Sequence, residues 1–147
     1  RRQRQMCIRD RSMLKDVVQV CTDGSDLSHK GIESAVEIAK ALHLPVVGMT
    51  AVLSKPNTVH GLEHEDKAVQ ERLAAVKNLA EAAEIPYELV AEHCESVADG
   101  ILNVADRHDA RFIVMASRGL GTLGSLILGS ETQKVLAQAN RPVLVIR

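Results

Sequence analysis

The chain holds no tryptophan, one tyrosine (Tyr87) and one phenylalanine (Phe112) in 147 residues. Its core must therefore be aliphatic, and a hydrophobic content of 46% is enough for one domain of this length. The same scarcity removes the stacking platforms on which readers of RNA and single-stranded DNA rely. The three cysteines, Cys7, Cys21 and Cys94, show neither a C-x-x-C spacing nor the even framework of a secreted disulfide protein. No apolar run approaches the roughly 18 residues of a membrane-spanning helix. These absences point to a cytoplasmic protein in a reducing compartment, with no membrane partner.

Residues 1–12 (RRQRQMCIRDRS) stand apart, with five Arg, one Asp and no apolar periodicity. They lack the apolar stretch of a signal peptide, and they read as a non-native lead-in, with Met13 as the start of the domain. The whole chain carries 18 basic and 19 acidic residues. Without the lead-in, 13 basic face 18 acidic residues, a net charge of −5. A domain of that sign repels phosphate backbones, so nucleic acid is an unexpected partner. Any anion site must then be made locally, from backbone amides and helix ends.

What is present is an alternation. Lys15–Thr22 is a Val-rich run that stops at Asp23-Gly24-Ser25, a buried strand leading into a turn. Ser25 or Ser28 can cap the helix that follows, whose apolar face is Ile32, Ala35, Val36, Ala39 and Leu42. A strand over Val46–Val52 and a loop over Lys55–Gly61 come next. A long helix follows over Glu63–Ala83, then a strand over Tyr87–Glu92 that leaves Cys94 in a loop. Val97, Ile101, Val104 and Ala105 give a third helix its inward stripe. A strand over Arg111–Ala116, a helix over Ser130–Gln138 and a strand over Pro142–Arg147 complete the series. Such an order predicts a doubly wound parallel α/β sheet in three layers, folded as a single domain over 13–147.

Ligands of such sheets bind beyond the carboxyl ends of the strands where strand order reverses, here the ends of the first and fourth. The fourth strand runs into Ala116–Thr132 (ASRGLGTLGSLILGSET), which holds four glycines. Glycines let a backbone approach a ligand closely, and successive amides before a helix N-terminus make an anion-binding concavity. Two readings of this stretch stand side by side. Ser130 and its neighbours can hold a phosphate, or Ser130 and Gln133 can form a capping box that needs no ligand. The chain contains no Gly-Lys-[Ser/Thr], so the loop is not a Walker A motif. His60 and His64 near a helix start read as solvated surface rather than metal ligands, and Cys21 reads as a small buried strand residue rather than a nucleophile.

The spacing Ala116-Ser-Arg-Gly119, nine residues, Gly129-Ser130 resembles the G-x-x-G-x9-G-[S/T] motif of the nucleotide-binding universal stress proteins. Thr22-Asp23-Gly24-Ser25, the closing Arg141–Ile146 and the order of elements are similar to that family over about Met13–Arg147. The resemblance implies a Rossmann-like sheet of order 3-2-1-4-5, related to the adenine nucleotide alpha hydrolases, with ATP across the switch point. Asp23 would face the adenosine end, with Thr22 beside it among the nucleotide-binding residues, and backbone near Ala51 would meet the adenine edge. Met115 and Ala116 also belong to the nucleotide-binding set that the resemblance implies. Gly119, Gly129 and Ser130, with the amides of Glu131 and Thr132, would hold the phosphates, and Arg118 would lend charge. Ala116 departs from the motif, because it stands where the family has glycine. If that position needs a positive φ, a methyl group there costs roughly 1 kcal/mol.

The resemblance also implies a homodimer through the last strand, which would otherwise leave an apolar sheet edge unpaired. The leading expectation is an ATP-binding stress-response switch, with magnesium accompanying the nucleotide and slow or absent hydrolysis. A dimeric scaffold that binds no nucleotide is one alternative, and a slow ATPase using Asp23 for magnesium is another.

Overall fold

The computed structural model describes residues 13–53, 62–119 and 128–147. The proposed lead-in, the loop over Lys55–Gly61 and most of the glycine stretch lie outside the described residues.

Val17, Val18, Gln19 and Val20 are wholly excluded from solvent. Residues buried on both faces belong in a central parallel strand, and Val18–Cys21 forms β1 at the middle of the sheet, with the Gln19 amide donating to Ile101 O. Its neighbours are β2 (Val46–Leu53) and β4 (Phe112–Ala116); β3 (Tyr87–Cys94) and β5 (Val143–Ile146) lie outside them. Every pairing is parallel and the order is β3-β2-β1-β4-β5, as expected. The first strand is shorter than its apolar run: Asp16 has φ 55°, and its carboxylate pairs with Arg111 outside the sheet. The third strand is longer than expected, because its register with β2 continues through Leu53↔Cys94. Cys94 is therefore a buried strand residue, not a loop residue.

Among the described residues, four helices cover the two faces. On one face α1 (Asp26–Leu42) and α2 (Leu62–Ala82) bury Ile32, Ala35, Val36 and Ala39 with Val76 and Ala80 against Val18, Val20 and Val46. On the other, α3 (Val97–Arg107) and α4 (Ser130–Gln138) bury Ala98, Ile101, Val104 and Val135 against Val47, Met49 and Ile113. At about 1.5–3 kcal/mol for each large aliphatic side chain, these two layers supply the main drive for folding. Close approach is needed at Gly48, where an added Cβ would lie 2.5 Å from Val76 Cγ1.

The helix starts set the orientation of the site. Ser25, in extended conformation, caps α1 by accepting the Ser28 N–H at 3.1 Å. Ser28 points its hydroxyl back to Ser25 O and to Thr22 Oγ1. Ser96 caps α3 in the same way, accepting the Asp99 N–H at 3.2 Å. The fourth helix departs from the expected capping box. Its N-cap is Gly129, no side chain caps it, and Ser130 is its first helical residue. The Gly129 N–H is held by Ser117 O at 2.7 Å, which fixes the turn one residue earlier than the Ser-x-x-Gln pattern requires.

Candidate functional site

The carboxyl ends of β1 and β4 meet the N-termini of α3 and α4 around a cavity of about 240 Å³. Its floor is apolar, made by Val97, Ile101 and Met115. Its rim carries Asp23, Arg118, Gly119, Gly129, Ser130, Glu131 and Thr132, with Cys21, Ser28 and Ala116 between. Strand order reverses between β1 and β4, so the cavity stands where a doubly wound sheet binds its ligands.

The backbone geometry explains the glycines. An added Cβ on Gly119 would stand 3.1 Å from Asp23 Oδ2, so the loop after β4 runs against the turn after β1. Gly129 has extended φ and ψ, which any residue adopts. Its constraint is proximity, since a Cβ would meet Arg118 Cα at 3.4 Å and Ser117 O at 3.5 Å. The buried Thr132 locks the arrangement by donating to Ala116 O at 3.0 Å. With no side-chain cap, the first amides of α4 face the cavity without an intrahelical acceptor, and the first helical bond is Gln133 N–H to Gly129 O. Ala116 ends β4 in register with Ile146 and is not among the residues with positive φ. Its methyl group therefore imposes no backbone strain, and the expected penalty of a left-handed alanine does not arise.

The charges are mixed. Asp23 accepts the Ser25 N–H through Oδ1 at 2.9 Å, leaving Oδ2 on the cavity side near Gly119. Glu131 sends Oε2 to the Ala98 N–H at 2.7 Å, which caps the neighbouring helix, while Oε1 lies 3.4 Å from Lys134 Nζ. Arg118 makes no ion pair among the described residues and is half-buried at the rim. Burial pushes the Cys21 thiol up to about 12, with Asp23 and then Cys94 adding to the shift. That shift favours the neutral thiol over the thiolate, although Cys21 is only half-buried and borders the cavity.

Most of the residues expected from the sequence converge here, but Thr22 and Ala51 do not line the cavity. Thr22 is buried behind it, bonded to Ser28 and, through its N–H, to Met49 O. Ala51 borders a second cavity beside α2. Cys21, Ser28, Val97 and Ile101 line the site without having been expected there. For Val97 and Ile101 the helical stripe reads as core, which they also are; only their place in the first turn and a half of a helix at the switch point distinguishes them.

The described residues contain no group of three or more His, Cys, Asp and Glu that could hold a metal ion. No described helix is long and apolar enough to cross a membrane.

Among curated proteins the chain is 33% identical to universal stress protein MJ0531 of Methanocaldococcus jannaschii, covering 95% of this chain and 86% of that one. It is 34% identical to universal stress protein YxiE of Bacillus subtilis, over 87% and 96% of the two chains. Among solved structures, the universal stress protein from Archaeoglobus fulgidus in complex with dAMP superposes with a TM-score of 0.73 at 22% identity. That match covers 92% of this chain and 100% of the other. A universal stress protein in complex with cAMP superposes with a TM-score of 0.72 at 24% identity, over 90% and 97%. The sequence model of the universal stress protein family matches residues 15–147. Fold, site position and sequence agree: the chain belongs to the universal stress protein family.

Proposed function

We propose that this protein binds an adenine nucleotide in the glycine-rich cavity and acts as a nucleotide-dependent switch in a stress response. The observation that carries the reading is the uncapped N-terminus of α4, whose first amides open on a cavity rimmed by Gly119 and by Arg118, which makes no ion pair among the described residues. Peptide amides and a helix dipole converging on one spot stabilise an anion without a lysine. Val97, Ile101 and Met115 supply an apolar wall for the rest of the ligand. Relatives of the same fold are described in complex with dAMP and cAMP, which supports an adenine ligand.

Within this reading ATP is the nucleotide, with Gly119, Gly129 and Ser130 on its phosphates and Asp23 toward the sugar. Magnesium would arrive on the phosphates, with Asp23 Oδ2, which the turn leaves unengaged, as a carboxylate oxygen on the cavity. A homodimer through β5 belongs to the same proposal. That strand pairs on one side with β4, and Leu144 remains 39% exposed, so a second copy of the strand would cover apolar surface and satisfy backbone groups. A cytoplasmic location completes it.

Calorimetric titration with ATP and magnesium tests the reading, beside a Gly129→Val, Ser130→Ala variant whose folding is checked by urea unfolding. Saturable binding lost in the folded variant is expected. Equal heats from both proteins would remove the nucleotide from this cavity.

A further inference from the structure

β3 closes one side of the sheet. It pairs with β2 along its whole length and, among the described residues, with nothing on its other side. The Val46 N–H donates to Pro86 O at 2.9 Å, so the backbone groups of Pro86, and by alternation those of Glu88, Val90 and Glu92, turn toward β2. Those of Leu89, Ala91 and His93 turn outward, and none of them is hydrogen-bonded among the described residues. The strand carries no proline, its ladder has no break, and no residue in it has positive φ. Such a regular edge offers another strand a row of free donors and acceptors.

The two faces of this edge differ. On the α3 side Arg107 holds Glu92, and His108 Nε2 lies 3.2 Å from Glu88 Oε2, so both carboxylates stand in fixed positions beside the open edge. Residues 84–95 contain Glu84, Glu88, Glu92 and Glu95 but no lysine or arginine, so this margin is acidic even with Arg107 and His108 counted as cations. On the α2 side Leu79, Ala83 and Leu89 are only partly buried, and Ala91 is exposed. An added strand would extend that apolar layer.

We infer that the outer edge of β3 is a docking site for an extended basic segment of a partner protein, added as a further strand of the sheet. Lysine or arginine at alternate positions would face Glu88 and Glu92, and apolar residues between them would lie against Leu79 and Leu89. The main-chain ladder supplies the attraction, and the glutamates select the partner. A second copy of this chain does not fit. Antiparallel pairing centred on Val90 or Ala91 would gather the Glu88 and Glu92 carboxylates of both copies on one face, and like charges across a sheet repel. The glycine-rich cavity takes no residue from β3, so the edge does not depend on a ligand there.

Hydrogen exchange followed by NMR on the whole chain tests this, with a capped peptide of alternating valine and lysine, matched to the strand in length, as the probe. At saturation the amides of Leu89, Ala91 and His93 should exchange more slowly by about tenfold or more. The same peptide with glutamate in place of lysine should leave all three unchanged. Ala91→Pro removes one outward N–H and no bond of the ladder to β2. With its fold confirmed by thermal unfolding, that variant should bind the peptide about tenfold or more weakly. No slowing, equal slowing by both peptides, or undiminished binding by folded Ala91→Pro would each overturn the proposal. Slowing that grows with protein concentration in the absence of peptide would also overturn it, by seating a second copy on the edge.

Discussion

Glu131 Oε2 accepts the Ala98 N–H at 2.7 Å, so a carboxylate on the first turn of α4 caps the first turn of α3 across the ligand cavity. The bond ties together the two helix starts that shape the site. It also sets a negative charge beside amides suited to an anion.

Glutamine at 131 keeps an acceptor for Ala98 and removes the charge. Glu131→Gln should therefore cost no more than about 1 kcal/mol of stability. Nucleotide affinity should rise, and more for ATP than for AMP, because repulsion grows with the charge on the phosphates. Calorimetry on both proteins with both nucleotides checks this, and equal gains for ATP and AMP would count against the charge argument.

Arg141 fastens the start of β5 to the end of α3. Its Nη1 donates to Ala105 O at 3.0 Å and to Ala110 O at 2.8 Å, and the side chain is only 16% exposed. The salt bridge to Asp106 adds little, since that carboxylate is largely in water. Arg141→Ala should destabilise the fold by about 2–4 kcal/mol in urea unfolding, and lysine, lacking the fork, should restore only part of the loss.

The packing of α2 on β2 turns on one contact. A methyl group on Gly48 would run into Val76, so Gly48→Ala should cost about 1–3 kcal/mol. Making room with Val76→Ala should offset part of that cost. A double-mutant cycle by chemical denaturation reads the coupling, which is predicted to be favourable.

Glu92 and Arg107 meet in a two-pronged pair, with Nη1–Oε2 at 2.6 Å and Nη2–Oε1 at 2.8 Å. The hydrogen bond from Arg107 holds the Glu92 carboxyl below its usual 4.5. A carboxyl whose folded pKa is depressed stabilises fully above its unfolded value and loses that contribution as pH falls toward the folded one. The stability gap between the parent and Glu92→Gln should therefore be constant above about pH 4.5 and shrink below it. Urea unfolding across pH 3–7 measures the gap, and a gap independent of pH would contradict the pairing.

The parallel α/β alternation was legible in the runs of Val and Ile, whereas the strand order came from the resemblance to the family, and the glycines after the fourth strand marked where a ligand was expected. The element limits were less so. Cys94 joins β3 only because Leu53 continues the ladder opposite it, a fact about another strand. The Ser130–Gln133 pattern suggests a capping box, yet Ser117 O captures the Gly129 amide and moves the cap. The Ala98–Glu131 bond spans 33 residues, so it leaves no local signal. Ala116 looked costly because the motif has glycine there, whereas its strand geometry accepts a methyl group.

The central claim is that the uncapped start of α4 and the loop after β4 hold the phosphates of an adenine nucleotide. Amide-resolved NMR titration of the full chain with ATP and magnesium tests it most directly. The account predicts that the amides of Gly119, Gly129, Ser130 and Glu131 shift together along one saturable curve, with those of the outer strand β3 unmoved. Shifts that miss these four amides, or no saturable shift at all, would contradict it.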